Sequence, residues 1–326
     1  MPTHPNVSCL FISFPSSVVI GPYRVSANSV AHREQTPEHF DISWLQRVDN
    51  RVRVGDDRDI NKRLVMRRIW VDGEENGRVR GDDPGLLLGL TVFETLRTYN
   101  GTPFRLQQHL DRLVGSANQL NITIPEKAVL TAEIQAVLEH TADADYRLRY
   151  TVTAGGHRIV DIQPIDTARI GAPIRVGRLA WDPPEWLPGV VKHGSRASWI
   201  VAAQQQGVDE VFLVDGAGYI LEANRSNVFA VQDGVLCTPP LDDRFLEGVT
   251  RGALLEAAGE AGIPVEERPL HVDTPFDELY LSSTLKELAP VSGWGPRGGP
   301  MDGPLGLKLH QAFQEFVARE VSRARG

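Results

Sequence analysis

The sequence predicts an α+β protein of two domains behind a poorly patterned N-terminal stretch. Three observations carry that prediction. Alternating, strand-length segments meet at two-residue Asp-Gly and Asn-Gly turns. Amphipathic runs of helical length lie between them, and a Pro-rich passage from Ala180 to Gly189 separates one such set from another. At 326 residues with 41% hydrophobic and 23% charged content, the chain is long enough to bury two ordinary cores.

Residues 1–65 are expected to be a poorly ordered extension. Their longest apolar run, "CLFISFPSSVVI", is too short to span a bilayer, is interrupted by Pro15, and follows no basic segment of a signal peptide. The stretch from His32 to Lys62 is charge-dense and lacks periodicity. A small domain is expected over 66–183. It begins with "RRIWVDGE", a strand ending in an Asp-Gly turn, and continues with "TVFETLRTYNGTPFRL", two strands joined at Asn100-Gly101. Leu106, Leu110, Leu113, Ala117 and Leu120 then recur at helical spacing, "PEKAVLTAEIQAVLEHT" gives a second helix, and "YRLRYTVTAGG" is a strand closing the unit. A larger domain is expected over 184–326. It contains a helix over Ser195–Gln206, strands "EVFLVD", "YILEA" and "NVFAVQ", a helix over Thr250–Ala261, strands "VEERPL" and "ELYLSST", and a terminal helix.

Composition narrows the function. A net charge of -8 offers no basic face for nucleic acid, so none is expected as a partner, nor is a membrane. Cys9 and Cys237, far apart, make neither a disulfide framework nor a metal site; a reducing cytoplasm fits, and no metal is expected. Polar residues gather where strands end and helices begin. Lys192 is placed at the opening of a helix, where its charge opposes the positive end of the macrodipole. Glu222 ends a strand, and Asn224 and Asn227 bracket the following turn. Gly248, Val249 and Thr250 sit at a helix N-terminus that suits a phosphate, as do the hydroxyls of Ser282, Ser283 and Thr284. Arg112 can add a bidentate guanidinium. Together these suggest a phosphorylated ligand beside a lysine.

From about Met66 onward the chain resembles the class IV aminotransferases, the fold type IV enzymes that use pyridoxal 5′-phosphate. The motifs that carry the resemblance are "VFETLR" (92–97), "HLDRLVGSA" (109–117), "VKHGSR" (191–196), "LEANRSNVFAV" (221–231), "TPPLDDRFLEGVTR" (238–251) and "SSTLKELAPV" (282–291), in family order. The resemblance implies a small α/β sandwich domain and a larger pseudo-barrel domain, with the cofactor in the crevice between them. It implies that Lys192 carries the cofactor as a Schiff base and moves protons, and that Glu222 faces the pyridine nitrogen. Arg112, Gly248, Val249, Thr250, Ser283 and Thr284 are implied as the phosphate cup. It also implies a homodimer.

The implied reaction is amino transfer between an amino acid and a 2-oxo acid, with 4-amino-4-deoxychorismate lyase as the alternative. A non-catalytic protein that binds the cofactor is the third reading, opposed by the presence of both Lys192 and Glu222. "KHGSR" and Thr95 resemble features of the lyase, in which that threonine delivers a proton. "SSTLKELAPV" resembles the hydroxyl loop of the aminotransferases. Arg97, Arg147 and Arg149 are the candidates for substrate carboxylate recognition, with surface or strand-pairing roles as the alternative, Arg97 and Arg149 being the two assigned to the substrate, and Lys286 is expected to point to solvent or pair with Glu287.

Overall fold

The computed structural model describes residues 67–141, 144–294 and 301–325, together with two short strands nearer the start. The chain divides into two compact units, 1–55 and 56–326. Of the first, only the antiparallel pair β1 (Val19–Ile20) and β2 (Tyr23–Arg24) is described. The expectation for 1–65 otherwise falls outside the described residues. Every candidate site residue belongs to the second unit, which is built on two sheets.

The six-stranded sheet contains β3 (Arg68–Val71), β4 (Glu74–Glu75), β5 (Thr91–Tyr99), β6 (Thr102–Pro103), β7 (Tyr146–Thr153) and β8 (Arg158–Pro164), all antiparallel, in the order β4-β3-β8-β7-β5-β6. Its two tight turns follow from composition. Asp72-Gly73 and Asn100-Gly101 have positive φ at both positions (52° and 86°, 50° and 83°), the primed geometry whose twist matches the flanking strands. Strand β7 does not close the unit as the sequence suggested. It is interior, because the chain turns through Gly155-Gly156 and returns beside it as β8. Three helices accompany this sheet: α1 (Pro84–Leu87), α2 (Leu106–Gln119) and α3 (Lys127–Leu138). On α2 the buried positions His109, Leu110, Leu113, Ser116 and Ala117 fall on one face. That face packs with Leu96, Leu148 and Tyr150 of the sheet into one core.

The nine-stranded sheet contains β9 (Ile174–Ala180), β10 (Glu210–Val214), β11 (Tyr219–Ala223), β12 (Asn227–Gln232), β13 (Val235–Thr238), β14 (Val265–Glu267), β15 (Leu270–His271), β16 (Glu278–Ser283) and β17 (Glu287–Ser292). Their order is β14-β13-β12-β16-β17-β9-β10-β11-β15. Strand β9 precedes the boundary expected at 183/184, yet it pairs in parallel with β10 and β17 of this second sheet. Strands β11 and β12 stand far apart in that order but are joined by only Asn224–Ser226, with a bridge between Ala223 and Ser226. The sheet therefore curls so that distant strands approach. Helices α4 (Ala197–Gln206), α5 (Val249–Glu260) and α6 (Pro304–Arg325) complete the unit, and α5 and α6 pack with Phe229, Tyr280 and Leu288 in a second core.

Lys192 does not open a helix. It lies in an extended passage five residues before α4, and that passage is fastened to the other sheet. The Phe93 amide donates to the Lys192 carbonyl (3.1 Å), His193 bridges Val92, and the Gly194 amide donates to the Thr91 carbonyl (2.9 Å). Backbone bonding to β5, not the dipole of a helix, fixes this lysine.

Candidate active site

A cavity of about 230 Å³ opens where β5 and β7 of the first sheet face the β11–β12 and β16–β17 turns of the second. Lys192 reaches it from the extended passage, with its backbone amide donating to Ser116 Oγ on α2 at 3.0 Å. Its amine lies 5.1 Å from the centre of the Phe93 ring. Burial, with the nearby charges of Arg112 and Arg196, pushes the ammonium down to about 7, against the opposing pull of Glu94 and Glu222. A lysine in this state holds a neutral, nucleophilic amine near neutral pH.

Glu222 enters from the end of β11. Burial pushes its carboxyl up to about 8, opposed by Lys192 and Arg196, and the Asn227 amide approaches one oxygen at 3.5 Å. The same Asn227 nitrogen donates to the Leu246 carbonyl (2.8 Å), which ties Glu222 to the segment leading into α5. Gly248 is the N-cap of α5, Val249 and Thr250 are its first residues, and all three line the cavity. No side chain caps this end, so the first backbone N–H groups of α5 face the cavity without an internal acceptor. A Cβ at Gly248 would lie 1.9 Å from Asn227 Oδ1, so only glycine lets the chain pass there.

Arg112 lies at the same end, more constrained than its sequence position indicated. Its Nε and Nη2 donate to the two oxygens of Glu94 (2.7 and 2.8 Å), and Nη1 donates to the Glu247 carbonyl (2.6 Å), just before the Gly248 cap. Burial alone would raise the fully buried Glu94 carboxyl. Arg112 and the His109 ring outweigh it and hold the group well below the usual carboxylate range. Ser282, Ser283 and Thr284 also line the cavity, and the Ser282 hydroxyl is buried with no hydrogen-bond partner. A buried orphan hydroxyl and an uncapped helix N-terminus lining one cavity are donors of the kind that suit an anion.

Thr95 and Arg149 face each other as partners in the β5–β7 register, and both line the cavity. The Arg149 guanidinium lies 3.5 Å from the Phe93 ring centre and donates only to Thr151 Oγ1 (3.2 Å). Burial, reinforced by Arg147 and Arg196, lowers it to about 10. Arg97 is a correction. It is 4% exposed and lies outside the cavity lining, donating to Glu287 (2.5 Å) and Asp145 (2.8 Å). Side chains alternate along β5, so Phe93 and Thr95 cannot share a face with Leu96, but Arg97 clears the cavity by its distance along the strand and its capture by Glu287.

Lys286 departs from expectation too: it lines the cavity and its ammonium pairs with the fully buried Glu210, with Ser226 Oγ at 3.1 Å, rather than pairing with Glu287. Sequence reasoning passed over Phe93, Trp199 and the binding potential of Arg196. The Arg196 guanidinium lies 4.8 Å from the Trp199 ring and 5.7 Å from Phe93, and Nη2 donates to the Asn224 carbonyl. Its place four residues after Lys192 was the available signal. Among the described residues no group of three or more His, Cys, Asp or Glu is arranged to hold a metal, and no helix is long and apolar enough to cross a membrane.

Comparison with known proteins identifies the family. The family model for amino-transferase class IV matches residues 91–294. A putative branched-chain-amino-acid aminotransferase of Methanocaldococcus jannaschii is 34% identical over 287 residues, covering 76% of this chain and 96% of its own. D-alanine aminotransferase of Listeria monocytogenes is 30% identical over 285 residues, covering 80% and 96%. A hypothetical aminotransferase from Mycobacterium tuberculosis, in an alpha-ketoglutarate and PMP bound form, matches with a TM-score of 0.69 at 25% identity, covering 78% of this chain and 99% of that one. With the family model spanning the cavity-forming segments, and curated relatives at 30% identity or more over most of the chain, this protein is a class IV aminotransferase.

Proposed function

We propose that the cavity binds pyridoxal 5′-phosphate and that the protein uses it to move an amino group from an amino acid to a 2-oxo acid. The observation that carries this reading is the Lys192 amine, lowered to about 7 and facing the same cavity as Glu222 and the α5 N-terminus. Each part of the cofactor meets a suitable group. The uncapped amides of Val249 and Thr250, the orphan Ser282 hydroxyl, Ser283, Thr284 and the spare N–H groups of Arg112 fit a phosphate. Glu222 fits the pyridine nitrogen, since a ring cation would hold its carboxylate ionised despite burial. When bound, the cofactor supplies an electron sink for the substrate Cα. Lys192 would hold the cofactor covalently, and its amine, when neutral, would take and return the substrate Cα proton. Arg149 holds the substrate carboxylate over Phe93, and Thr95 touches the substrate from β5.

A homodimer is part of the proposal. Leu86, Leu87 and Leu88, in and just after α1, are 64%, 65% and 68% exposed, a run of apolar side chains that a second copy would cover.

The test is a half-reaction. Enzyme loaded with cofactor and mixed with single D- or L-amino acids, without an acceptor, is expected to lose its visible absorbance for at least one of them and to release the matching 2-oxo acid. Borohydride reduction followed by peptide mass spectrometry is expected to find the cofactor on Lys192. Retention of the absorbance with every amino acid, combined with pyruvate and 4-aminobenzoate from 4-amino-4-deoxychorismate, would replace this reading with the lyase.

A further inference from the structure

Among the described residues two lysines line the cavity, and the chemistry proposed for Lys192 makes no use of the other, Lys286. An ammonium has three protons to give, and three oxygens surround this one: a carboxylate oxygen of Glu210, Ser226 Oγ at 3.1 Å and Ser283 Oγ at 3.5 Å. With its donors taken inside the protein, Lys286 has none to offer a ligand. An ion pair on a fully buried carboxylate such as Glu210 is also a weak source of stability, because desolvation offsets the attraction. What such a pair supplies is a fixed geometry.

That geometry joins two turns. The ladder between β12 and β16 ends at Asn227 and Ser282, and beyond it the Lys286 side chain bridges the β11–β12 turn (224–226) and the β16–β17 turn (284–286). The first turn is firmly held on β10. The Asn224 amide donates to the Val211 carbonyl (3.0 Å), the Val211 amide donates to Asn224 Oδ1 (3.1 Å), and the Ser226 hydroxyl shares its proton between the two oxygens of Glu210 (3.2 and 3.0 Å). The second turn presents Thr284 to the cavity, with Ser283 and the orphan Ser282 hydroxyl at the end of β16 just before it. A serine oxygen that accepts from an ammonium keeps its own proton free to donate. Donating hydroxyls are what an anion needs.

We propose that the Glu210–Lys286 pair positions the anion end of the cavity: it draws the β16–β17 turn onto the β11–β12 turn and sets Ser283 as a donor, so that a phosphate gains affinity from a pair that does not touch it. This rests on the reading of that end as the cofactor's phosphate site. Glu210 and Lys286 are then positioning residues, acting through the hydroxyls of Ser282, Ser283 and Thr284. Donors already held in place bind more tightly, because the ligand does not have to order them.

The experiment measures dissociation constants of pyridoxal 5′-phosphate and of pyridoxal, which lacks the phosphate, on the cofactor-free protein by fluorescence. Their ratio isolates the phosphate end, because a general folding defect weakens both ligands. Wild type is expected to favour the phosphorylated one by at least about 100-fold, for more than one charged hydrogen bond. Lys286→Met and Glu210→Gln are each expected to weaken it about tenfold, with pyridoxal held within about threefold of wild type, the scatter of uncoupled sites. Lys286→Arg, which keeps the pair, is expected to retain most of the ratio. The double variant leaves no charge of the pair buried alone, which guards against misfolding, and its loss is expected to match either single change, about tenfold, instead of their product. Glu210→Gln decides between position and charge. If the Lys286 ammonium acted on the phosphate directly, releasing it from Glu210 would tighten binding, and tighter binding overturns the proposal. So does a double variant with the wild-type ratio, or an equal loss of both ligands in every variant. A wild type that does not distinguish the two ligands shows that the phosphate reading of the cavity has failed. A normal wild-type preference that all variants retain sinks only the role of the pair.

Discussion

Two ionisable side chains in the cavity are displaced toward each other, Lys192 to about 7 and Glu222 to about 8. Each displacement carries a stability consequence with its own sign. A lysine lowered from 10.5 destabilises the cofactor-free fold fully below pH 7, and the penalty fades as pH rises to 10.5, where neither state holds the proton. A glutamate raised from 4.5 costs nothing below that pH, and its penalty grows until pH 8. Lys192→Ala is therefore expected to melt higher than wild type at pH 6 and to converge with it near pH 10.5, while amino transfer falls by at least about 1,000-fold. Glu222→Gln is expected to melt higher at pH 8.5, to match wild type at pH 4, and to react roughly 100-fold more slowly with cofactor retained. Thermal melts of cofactor-free protein at these pH values check both signs. A pH-independent difference would assign the residue to packing. The motif singled out Lys192 and asked for a lowered ammonium near other cations, but not which cations, because Arg112 and Arg196 meet it only in three dimensions.

At the scale of elements, turns and helix ends were the legible part. Asp72-Gly73 and Asn100-Gly101 take the primed geometry their composition demands, and Gly248 does cap α5. Of the missed strands, β9 owes its state to β10 and β17, both distant in sequence, whereas β8 and β17 are the returning arms of hairpins with β7 and β16 that also meet the distant β3 and β9. Strand β17 begins at Glu287, whose positive φ of 57° and buried carboxylate answer to Arg97 and His310. The placement of Lys192 on a helix failed similarly, because the bonds to Phe93 and Thr91 that extend it come from another sheet. For the phosphate end the decisive test is Gly248→Ala. Its φ of −78° suits alanine, so the cost is wholly the 1.9 Å approach to Asn227 Oδ1. Moving Asn227 breaks its bond to Leu246 and its reach to Glu222. Cofactor dissociation constants measured by fluorescence are expected to rise at least about tenfold, the worth of one charged hydrogen bond, with the melting temperature of the cofactor-free protein falling as well. Unchanged affinity would remove the α5 N-terminus from the phosphate site.

On the scale of the whole molecule, Arg97 joins the two sheets instead of meeting substrate. Its guanidinium spans from β5 to Glu287 of β17, and Glu287 in turn accepts from His310 on α6 at 2.7 Å. The sequence separation of 190 residues hid that role. Arg97→Met strips the buried Glu287 carboxylate of its guanidinium, leaving His310, Gln314 and Tyr99 as its partners, and is expected to cost about 3–5 kcal/mol in denaturant unfolding, with KM for the substrate acids unchanged. A raised KM at full stability would return Arg97 to the substrate site. The exposed Leu86–Leu88 run predicts an assembly contact: Leu86→Ser combined with Leu88→Ser is expected to shift the protein from dimer to monomer in sedimentation velocity, whereas an unchanged profile places the contact elsewhere.

Lys192, Arg149 and Arg196, gathered about the Phe93 ring, are expected to govern how the cofactor-free protein behaves in solution. Any small oxyanion that enters relieves some of that charge and favours the folded state by mass action. Sulfate, phosphate and short-chain carboxylates in a purification buffer are thus expected to act as surrogate ligands, raising the melting temperature of the empty enzyme and competing with the molecules meant to fill it. Storage in such salts is expected to preserve the protein, and assays in them to understate its affinity.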